Sequence, residues 1–324
     1  TSGANRDTVR KGVANSVRLM LDEEIGTARR RHREWWNRFW SNSRVRLGDA
    51  ELNAYYRRAR YFFGSLAREW SPPMALQGVW TADEMALPPW RGDYHNNLNV
   101  QFCYVSYLAA NDLAGGRQLL EYLFALLPEH RRWAREFYGV RHPDGAVVPG
   151  AMTMAGNVVP GSANYTYHPD NGLWIAHLFY RHWRYTLDEQ FLRDRAYPYC
   201  RSLAEAALEL LSRDDAGYWR FDWSVSPELG DDWPESYFAE LTAYDNACLC
   251  ACFANLAEMA GAVGDTVAVR RWRECLSHCR PPESMTAQYQ YYLYDKTVLG
   301  LQPGTALPCS HRHFSHLMAF YPFD

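Results

Sequence analysis

One carboxylate in this sequence is placed for acid catalysis. Glu228 lies in the segment WSVSPELGDDWPE. Three tryptophans flank it in the chain: Trp219, Trp223 and Trp233. An apolar setting raises the pKa of a carboxylic acid, which can then stay protonated and donate its proton to a leaving group. Three neighbouring acids are rivals for this role: Asp231, Asp232 and Glu235.

The same segment also fits an ordinary helix start. In Ser226-Pro227-Glu228 the serine would be the N-cap and the proline would occupy the first turn. The acid would then face the positive end of the helix dipole. The sequence leaves both interpretations of Glu228 open. Asp245, in AYDNA, has a similar ambiguity, because it either caps a helix or contacts a substrate.

A second distinctive stretch runs from Leu76 to Tyr107, LQGVWTADEMALPPWRGDYHNNLNVQFCYVSY. Pro88, Pro89 and Gly92 exclude a regular helix or an interior strand through its middle. The stretch interleaves aromatic rings with polar side chains: Trp80, Trp90, Tyr94, His95, Asn96, Asn97 and Asn99. Rings stack on the C–H faces of a sugar, while amides pair with its hydroxyls. The stretch therefore either binds carbohydrate or is an ordered loop whose asparagines cap turns.

Three histidines near the end of the chain, His311, His313 and His316, form the pattern H-x-H-x-x-H. No acid is interleaved with them and Arg312 lies among them, so a metal site is disfavoured. These side chains suit a cleft wall that donates hydrogen bonds to sugar hydroxyls or holds a carboxylate. The sequence has no GxSxG, P-loop or GxGxxG fingerprint in a strand–helix context. We therefore predict no metal ion and no cofactor.

Composition narrows the range of partners. The chain has 34 Lys plus Arg and 37 Asp plus Glu, a formal net charge of −3, which argues against nucleic acid. Aromatic residues make up 15% of the sequence, as an aromatic cleft would require. No run of eighteen apolar residues is present, so no membrane span is predicted. The eight cysteines lack a disulfide framework, which favours a reducing, cytoplasmic compartment over secretion.

Hydrophobic periodicity predicts helix pairs separated by long loops, which is an all-α architecture of the (α/α)6 toroid type. Residues 1–42 read as a linker helix, continuous from Val9 to Trp40, and residues 43–324 as an α/α barrel. Eight or nine helices are predicted, fewer than six pairs, so we expect the barrel to be incomplete and the chain to be part of a longer protein. Four long segments should gather at one end: loop 1 (76–100), loop 2 (141–171), loop 3 (217–236) and loop 4 (306–316).

Several motifs occur in order between Trp35 and Pro322: LQGVW, PPWRGDYHNNLNVQ, FLRDRAYPYCRSLAEA, SPE, YDNA and HRHFSHL followed by YP. Together they resemble the catalytic domain of glycoside hydrolase family 95, whose members are inverting 1,2-α-L-fucosidases and α-L-galactosidases. HRHxSHL and LQGxW followed by PPW are fairly specific, whereas SPE alone is not. The resemblance covers nearly the whole chain.

The resemblance implies particular roles for three residues. Glu228 matches the general acid of the family, and Asn97 and Asn99 match two asparagines that position and activate the attacking water. It also implies that the base, an aspartate, lies beyond residue 324, together with the last helices. NLNVQFCYV stands where the family has NINxxMNYW, which indicates a divergent sugar pocket.

Three functions are consistent with these features. The first is an inverting exo-glycosidase that releases a terminal sugar, for example of the α-L-fucosyl or α-L-galactosyl type, from an oligo- or polysaccharide. The second is a polysaccharide lyase, which would need a basic groove around Arg91, Arg141 or Arg312. The third is a non-catalytic carbohydrate-binding protein. None of these three functions predicts a particular oligomeric state.

Overall fold

The computed structural model describes residues 6–69, 71–76, 89–161, 163–230, 233–291 and 294–323. Its α-helices are α1 (Arg6–Asp22), α2 (Ile25–Ser41), α3 (Ala50–Leu66), α4 (Asn99–Tyr104), α5 (Leu113–Ala125), α6 (Leu127–Tyr138), α7 (Ala163–Thr166), α8 (Asn171–Thr186), α9 (Glu189–Phe191), α10 (Tyr197–Leu210), α11 (Ala243–Val263) and α12 (Thr266–Ser277). Its strands are β1 (Tyr94–His95), β2 (Ala151–Met152), β3 (Leu211–Arg213), β4 (Trp219–Phe221), β5 (Thr286–Tyr291) and β6 (Tyr294–Leu299). The strands form antiparallel pairs, β1 with β2, β3 with β4 and β5 with β6.

The helices pack as an α/α toroid, which confirms the predicted fold class. α8 packs against α10 and α11, and α11 packs against α12. α8 and α11 are buried around most of their circumference, as inner helices must be. α6 and α12 instead bury a single stripe, as outer helices do. The main core lies between these layers.

α11 is an apolar inner helix that the criterion of eighteen consecutive apolar residues did not detect. It lacks eighteen consecutive apolar residues, yet among the described helices it is the one long and apolar enough to cross a membrane by composition. Its buried side chains, which include Leu249, Phe253 and Leu256, face α8, α10 and α12. Its apolar character is that of a core helix.

The prediction of one continuous helix from Val9 to Trp40 is wrong. The chain leaves helical geometry at Glu24, whose φ of −58° and ψ of 130° separate α1 from α2. α2 begins at the next residue and ends with aromatic side chains that dock on α3, where Trp36 stacks on Tyr61 with 5.2 Å between ring centroids. The division into a linker at 1–42 and a barrel at 43–324 stays a prediction.

The described parts of the four loops meet at one end of the toroid, as predicted. β1 belongs to loop 1 and pairs with β2 of loop 2. His168 of loop 2 contacts Asp245 at the start of α11, and Asp245 in turn binds Ser224 of loop 3. Glu228 of loop 3 contacts His313 of loop 4. Each loop is therefore fastened to the next one along the chain.

Candidate active site

Glu228 lies where loop 3 meets loop 4. His313 donates from Nε2 to Oε2 of Glu228 at 2.9 Å, and the Arg312 guanidinium makes a close ion pair with the same oxygen. His311 donates from Nε2 to the main-chain carbonyl of Glu228 at 3.1 Å. Burial and the neighbouring charges of Arg312 and His311 lower the pKa of His313 to about 4, so its imidazole is a neutral donor. The segment His311-Arg312-His313 thus holds the Glu228 carboxylate. Holding a carboxylate is one of the two roles predicted for these side chains.

The backbone of Glu228 has a left-handed conformation, with φ of +57°. This region is uncommon for residues other than glycine, and where it occurs the surrounding structure must enforce it. The interpretation as a helix start is wrong, because no helix begins at Ser226. The Ser226 hydroxyl bonds to that of Ser315 instead of capping a helix, which adds a further link between loop 3 and loop 4.

The predicted apolar enclosure of Glu228 is also wrong. Trp223 is 74% exposed and Trp233 is 71% exposed, so neither ring shields a carboxylate from water. Trp219 is turned toward α12, where its Nε1 donates to the Cys275 carbonyl at 2.7 Å. The tight turns of loop 3 send neighbouring residues in different directions. Trp80, Asp231 and Asp232 lie outside the described residues, as do the side chains of Arg91 and Glu235.

Asn97 and Asn99 lie at the start of α4, next to the junction of loops 1 and 2. Asn96 makes that junction, because its backbone N–H donates to the Gly150 carbonyl at 2.7 Å and its Nδ2 to the Pro149 carbonyl at 2.9 Å. The Oδ1 atoms of Asn97 and Asn99 are buried and accept no hydrogen bond from the described residues. A buried acceptor without a partner costs about 1–3 kcal/mol. These two amides are therefore suited to hold a water molecule or a sugar hydroxyl.

Loops 1 and 2 enclose a cleft of about 690 Å³ that Trp90 and His95 line. Trp90 is exposed and meets His95 edge to face, with 6.1 Å between ring centroids. Tyr94 does not line this cleft. Its ring is in the core and its hydroxyl donates to the Pro73 carbonyl at 2.7 Å, so the predicted substrate contact is wrong for Tyr94.

Asp245 is fully buried and is neither an N-cap nor a substrate contact. The N-cap of α11 is Thr242, whose hydroxyl accepts from the Asp245 N–H at 3.2 Å. The Asp245 carboxylate accepts from the Ser224 hydroxyl and from His168 Nε2, the latter at 2.9 Å. His168 Nε2 also lies 2.9 Å from Asp170 Oδ1.

Local sequence patterns singled out Asp245 but did not predict that it forms a cluster with His168 and Asp170. Burial alone would lower the pKa of His168, but the charges of the two aspartates outweigh it and raise the pKa to about 10. The three ligand atoms lie within 4.8 Å of one another, and among the described residues this is the group that could hold a metal ion. The imidazolium of His168 already supplies a positive charge between the carboxylates.

Two further predicted contacts, His316 and Arg312, are on loop 4. His316 has a pKa lowered by burial, and its Nδ1 is buried without a partner among the described residues. Arg312 is 70% exposed at its side chain and is neutralised by Glu228. Arg141 is likewise paired, with Glu209 at 3.5 Å. These pairings do not support the basic groove that a lyase would need.

The fold and the site together define a helical toroid of the kind that acts on carbohydrates. An acid, amides, imidazoles and the cleft beside Trp90 and His95 lie in loops at one end of its helices. The sequence matches the glycosyl hydrolase family 95 catalytic domain over residues 8–324, and the chain belongs to this family.

Two curated relatives carry fucosidase names. The chain is 25% identical over 276 residues to "Alpha-L-fucosidase 2" of Arabidopsis thaliana, a match that covers 82% of this chain and 31% of that protein. It is 29% identical over 212 residues to "Probable alpha-fucosidase A" of Aspergillus niger, covering 63% of this chain and 25% of that protein. The matches thus span a third or less of the length of these relatives.

A solved structure supports the fold. The structure of a "Putative kojibiose phosphorylase from human microbiome" superposes with a TM-score of 0.65 at 13% sequence identity. The superposition covers 86% of this chain and 38% of that one. At this identity the likeness concerns the helical toroid and not the chemistry.

Proposed function

We propose that this chain carries the acid side of the active site of an inverting exo-glycosidase, which releases a terminal fucosyl-type sugar from an oligo- or polysaccharide. The observation that carries the proposal is the fixed position of Glu228, between loops 3 and 4 and at the same end as Asn97 and Asn99. Membership of the family and the names of the two relatives support the substrate class.

In this proposal Glu228 protonates the glycosidic oxygen. The described hydrogen bonds of its carboxylate all go to Oε2, which leaves Oε1 to carry the proton. A guanidinium beside a carboxylate favours the ionised form. Arg312 must therefore turn toward the sugar when substrate enters, and its exposed side chain has room to do so.

Asn97 and Asn99 hold the attacking water on the opposite face of the sugar. Their Oδ1 acceptors, which have no partner among the described residues, suit that task. Following the family resemblance, we place the base, an aspartate, outside residues 1–324. Inversion requires about 6.5–9.5 Å between acid and base, with the water between them. The sugar itself would occupy the cleft beside Trp90 and His95.

Two substitutions in the complete protein test these roles. Glu228→Gln keeps the shape but removes the proton, so kcat for a natural fucosyl disaccharide should fall by roughly 10²–10⁴. The loss should be far smaller for an aryl fucoside, whose leaving group needs little protonation. Asn97→Ala should instead slow both substrates alike, because both need the water.

Glu240→Gln is the control, since this carboxylate pairs with Arg280 at 3.1 Å instead of with loop 4. The first anomer released, followed by NMR, reports on inversion. Wild-type turnover of the disaccharide by Glu228→Gln would exclude Glu228 as the acid. Initial release of the retained anomer would exclude the inverting mechanism.

A further inference from the structure

A second cleft, of about 500 Å³, opens between loops 2 and 3. We call it the aromatic cleft, because six rings line it: Phe137, Tyr138, Tyr167, Phe221, Trp223 and Tyr237. It shares none of its lining residues with the cleft that contains Trp90 and His95. It is therefore a separate place at which a ligand could lie.

One wall of the aromatic cleft is a row of stacked rings. Trp133 stacks on Phe137 with 4.4 Å between centroids, and Phe137 stacks on Tyr167 with 5.1 Å. The Tyr138 hydroxyl bonds to the Tyr167 carbonyl, which ties the end of α6 to loop 2. Phe137 is nevertheless 51% exposed. This wall thus presents a fixed ring to solvent.

The opposite wall is formed by Trp223, which meets Tyr237 edge to face with 6.3 Å between centroids. The backbone behind Trp223 is anchored, because Ser224 binds the buried Asp245 and accepts from the Thr242 N–H at 2.7 Å. Ser224 also accepts a backbone hydrogen bond from Phe238 at 2.8 Å. A large, mostly exposed ring on an anchored backbone is a preformed apolar surface on which a ligand can stack.

The chemistry of the cleft suits sugars. Its exposed rings can stack on the C–H faces of pyranoses, and the carboxylate of Asp222 can accept from their hydroxyls. Its position is compatible with the substrate of the proposed reaction, because Val225 lines the cleft and the three residues from Val225 to Glu228 span at most about 11 Å of chain. Sugar units bound here would therefore lie beside the same segment of loop 3 that carries the acid.

We propose that the aromatic cleft binds the leaving-group side of the substrate, namely the sugar units that remain after the terminal residue is removed. This proposal rests on the proposed function and adds a specificity determinant to it. Trp223 is the principal stacking platform. The cleft makes the enzyme prefer a terminal sugar attached to an oligosaccharide over the same sugar attached to a small leaving group that has no face for stacking.

The kinetic test compares Trp223→Ala with Trp233→Ala in the complete protein. The two tryptophans are on the same loop and are similarly exposed, but only Trp223 lines the aromatic cleft. With 2′-fucosyllactose, Trp223→Ala should lower kcat/KM about tenfold, as expected for one lost stacking contact, chiefly by raising KM. With α-L-fucosyl fluoride, whose leaving group has neither a ring nor a sugar that could stack on Trp223, the loss in kcat/KM should be smaller than with 2′-fucosyllactose. Trp223→Phe should recover part of the loss.

A binding test does not depend on turnover. Saturation-transfer NMR with lactose, cellobiose and xylobiose should show contact with the wild-type protein and with Glu228→Gln, and weaker contact with Trp223→Ala. If none of the three disaccharides binds, or if Trp223→Ala and Trp233→Ala behave alike in both tests, the inference is overturned. Failure of the proposed function appears separately, as full activity of Glu228→Gln.

Discussion

Replacing Asp245 by Asn should test whether the buried cluster supports the active site. Asn keeps the size of the side chain, so it leaves no cavity. It removes the charge that faces His168 and replaces one carboxylate oxygen with an amide donor beside Ser224 or His168. Breaking a buried ion pair costs about 3–5 kcal/mol. Because His168 keeps Asp170 as a second partner, we expect the lower end of this range, about 3 kcal/mol.

The measurement is thermal and denaturant unfolding of the complete protein. With an unfolding entropy of about 2.1 cal/mol/K per residue over 324 residues, a loss of about 3 kcal/mol lowers the melting temperature by roughly 4 °C. Asp222→Asn is the matched control, since Asp222 is exposed on the same loop and its carboxylate makes surface contacts, with Arg220 at 3.3 Å and with the Ser212 hydroxyl at 3.5 Å. A change below about 1 kcal/mol for Asp245→Asn, or an equal change in Asp222→Asn, would refute the idea that this pair fixes loop 3.

Two further predictions concern stability. Burial keeps the pKa of three histidines below its ordinary value, at about 4 for His130 and His182 and about 3 for His177. The unfolded chain takes up a proton on each near pH 6.5, so stability should fall as pH drops from about 6.5 toward 4, by on the order of 1–3 kcal/mol per histidine. Unfolding curves that do not change over this range would contradict it. Gly150→Ala should destabilise by about 1–3 kcal/mol or more, because the added Cβ would lie 1.6 Å from the Tyr165 carbonyl oxygen. Gly12→Ala, which meets nothing within 4 Å, should have no such effect, and equal melting temperatures for the two variants would show that loop 2 can relax.

Much of the fold could be predicted because helical periodicity is local. Apolar residues at helical spacing marked the pairs, and the prolines, glycines and asparagines marked the loops. The break at Glu24 escaped this reasoning, because glutamate is a good helix former and the apolar pattern resumes after it. The structure alone shows that the backbone turns there.

The candidate site was partly predictable for the same reason. Glu228, Asn97 and Asn99 stand in recognisable motifs, so they could be chosen before their surroundings were known. The tryptophans near Glu228 were misjudged because nearness in sequence says little about direction within a tight turn. The pairing of His168 with Asp245 joins residues 77 positions apart, and no local pattern reports such a contact.

The order in which the loops are fastened divides the site into two modules. Loops 1 and 2 build the cleft around Trp90 and His95, whereas loops 3 and 4 build the setting of Glu228. The modules are joined through the buried contact of His168 with Asp245. A lineage could therefore change the cleft beside Trp90 and His95 by changing loops 1 and 2 as a pair, while Glu228, the proposed acid, stays in place. The departure of NLNVQFCYV from the family motif lies in the first module and its neighbouring helix, where such drift would leave the setting of Glu228 unchanged.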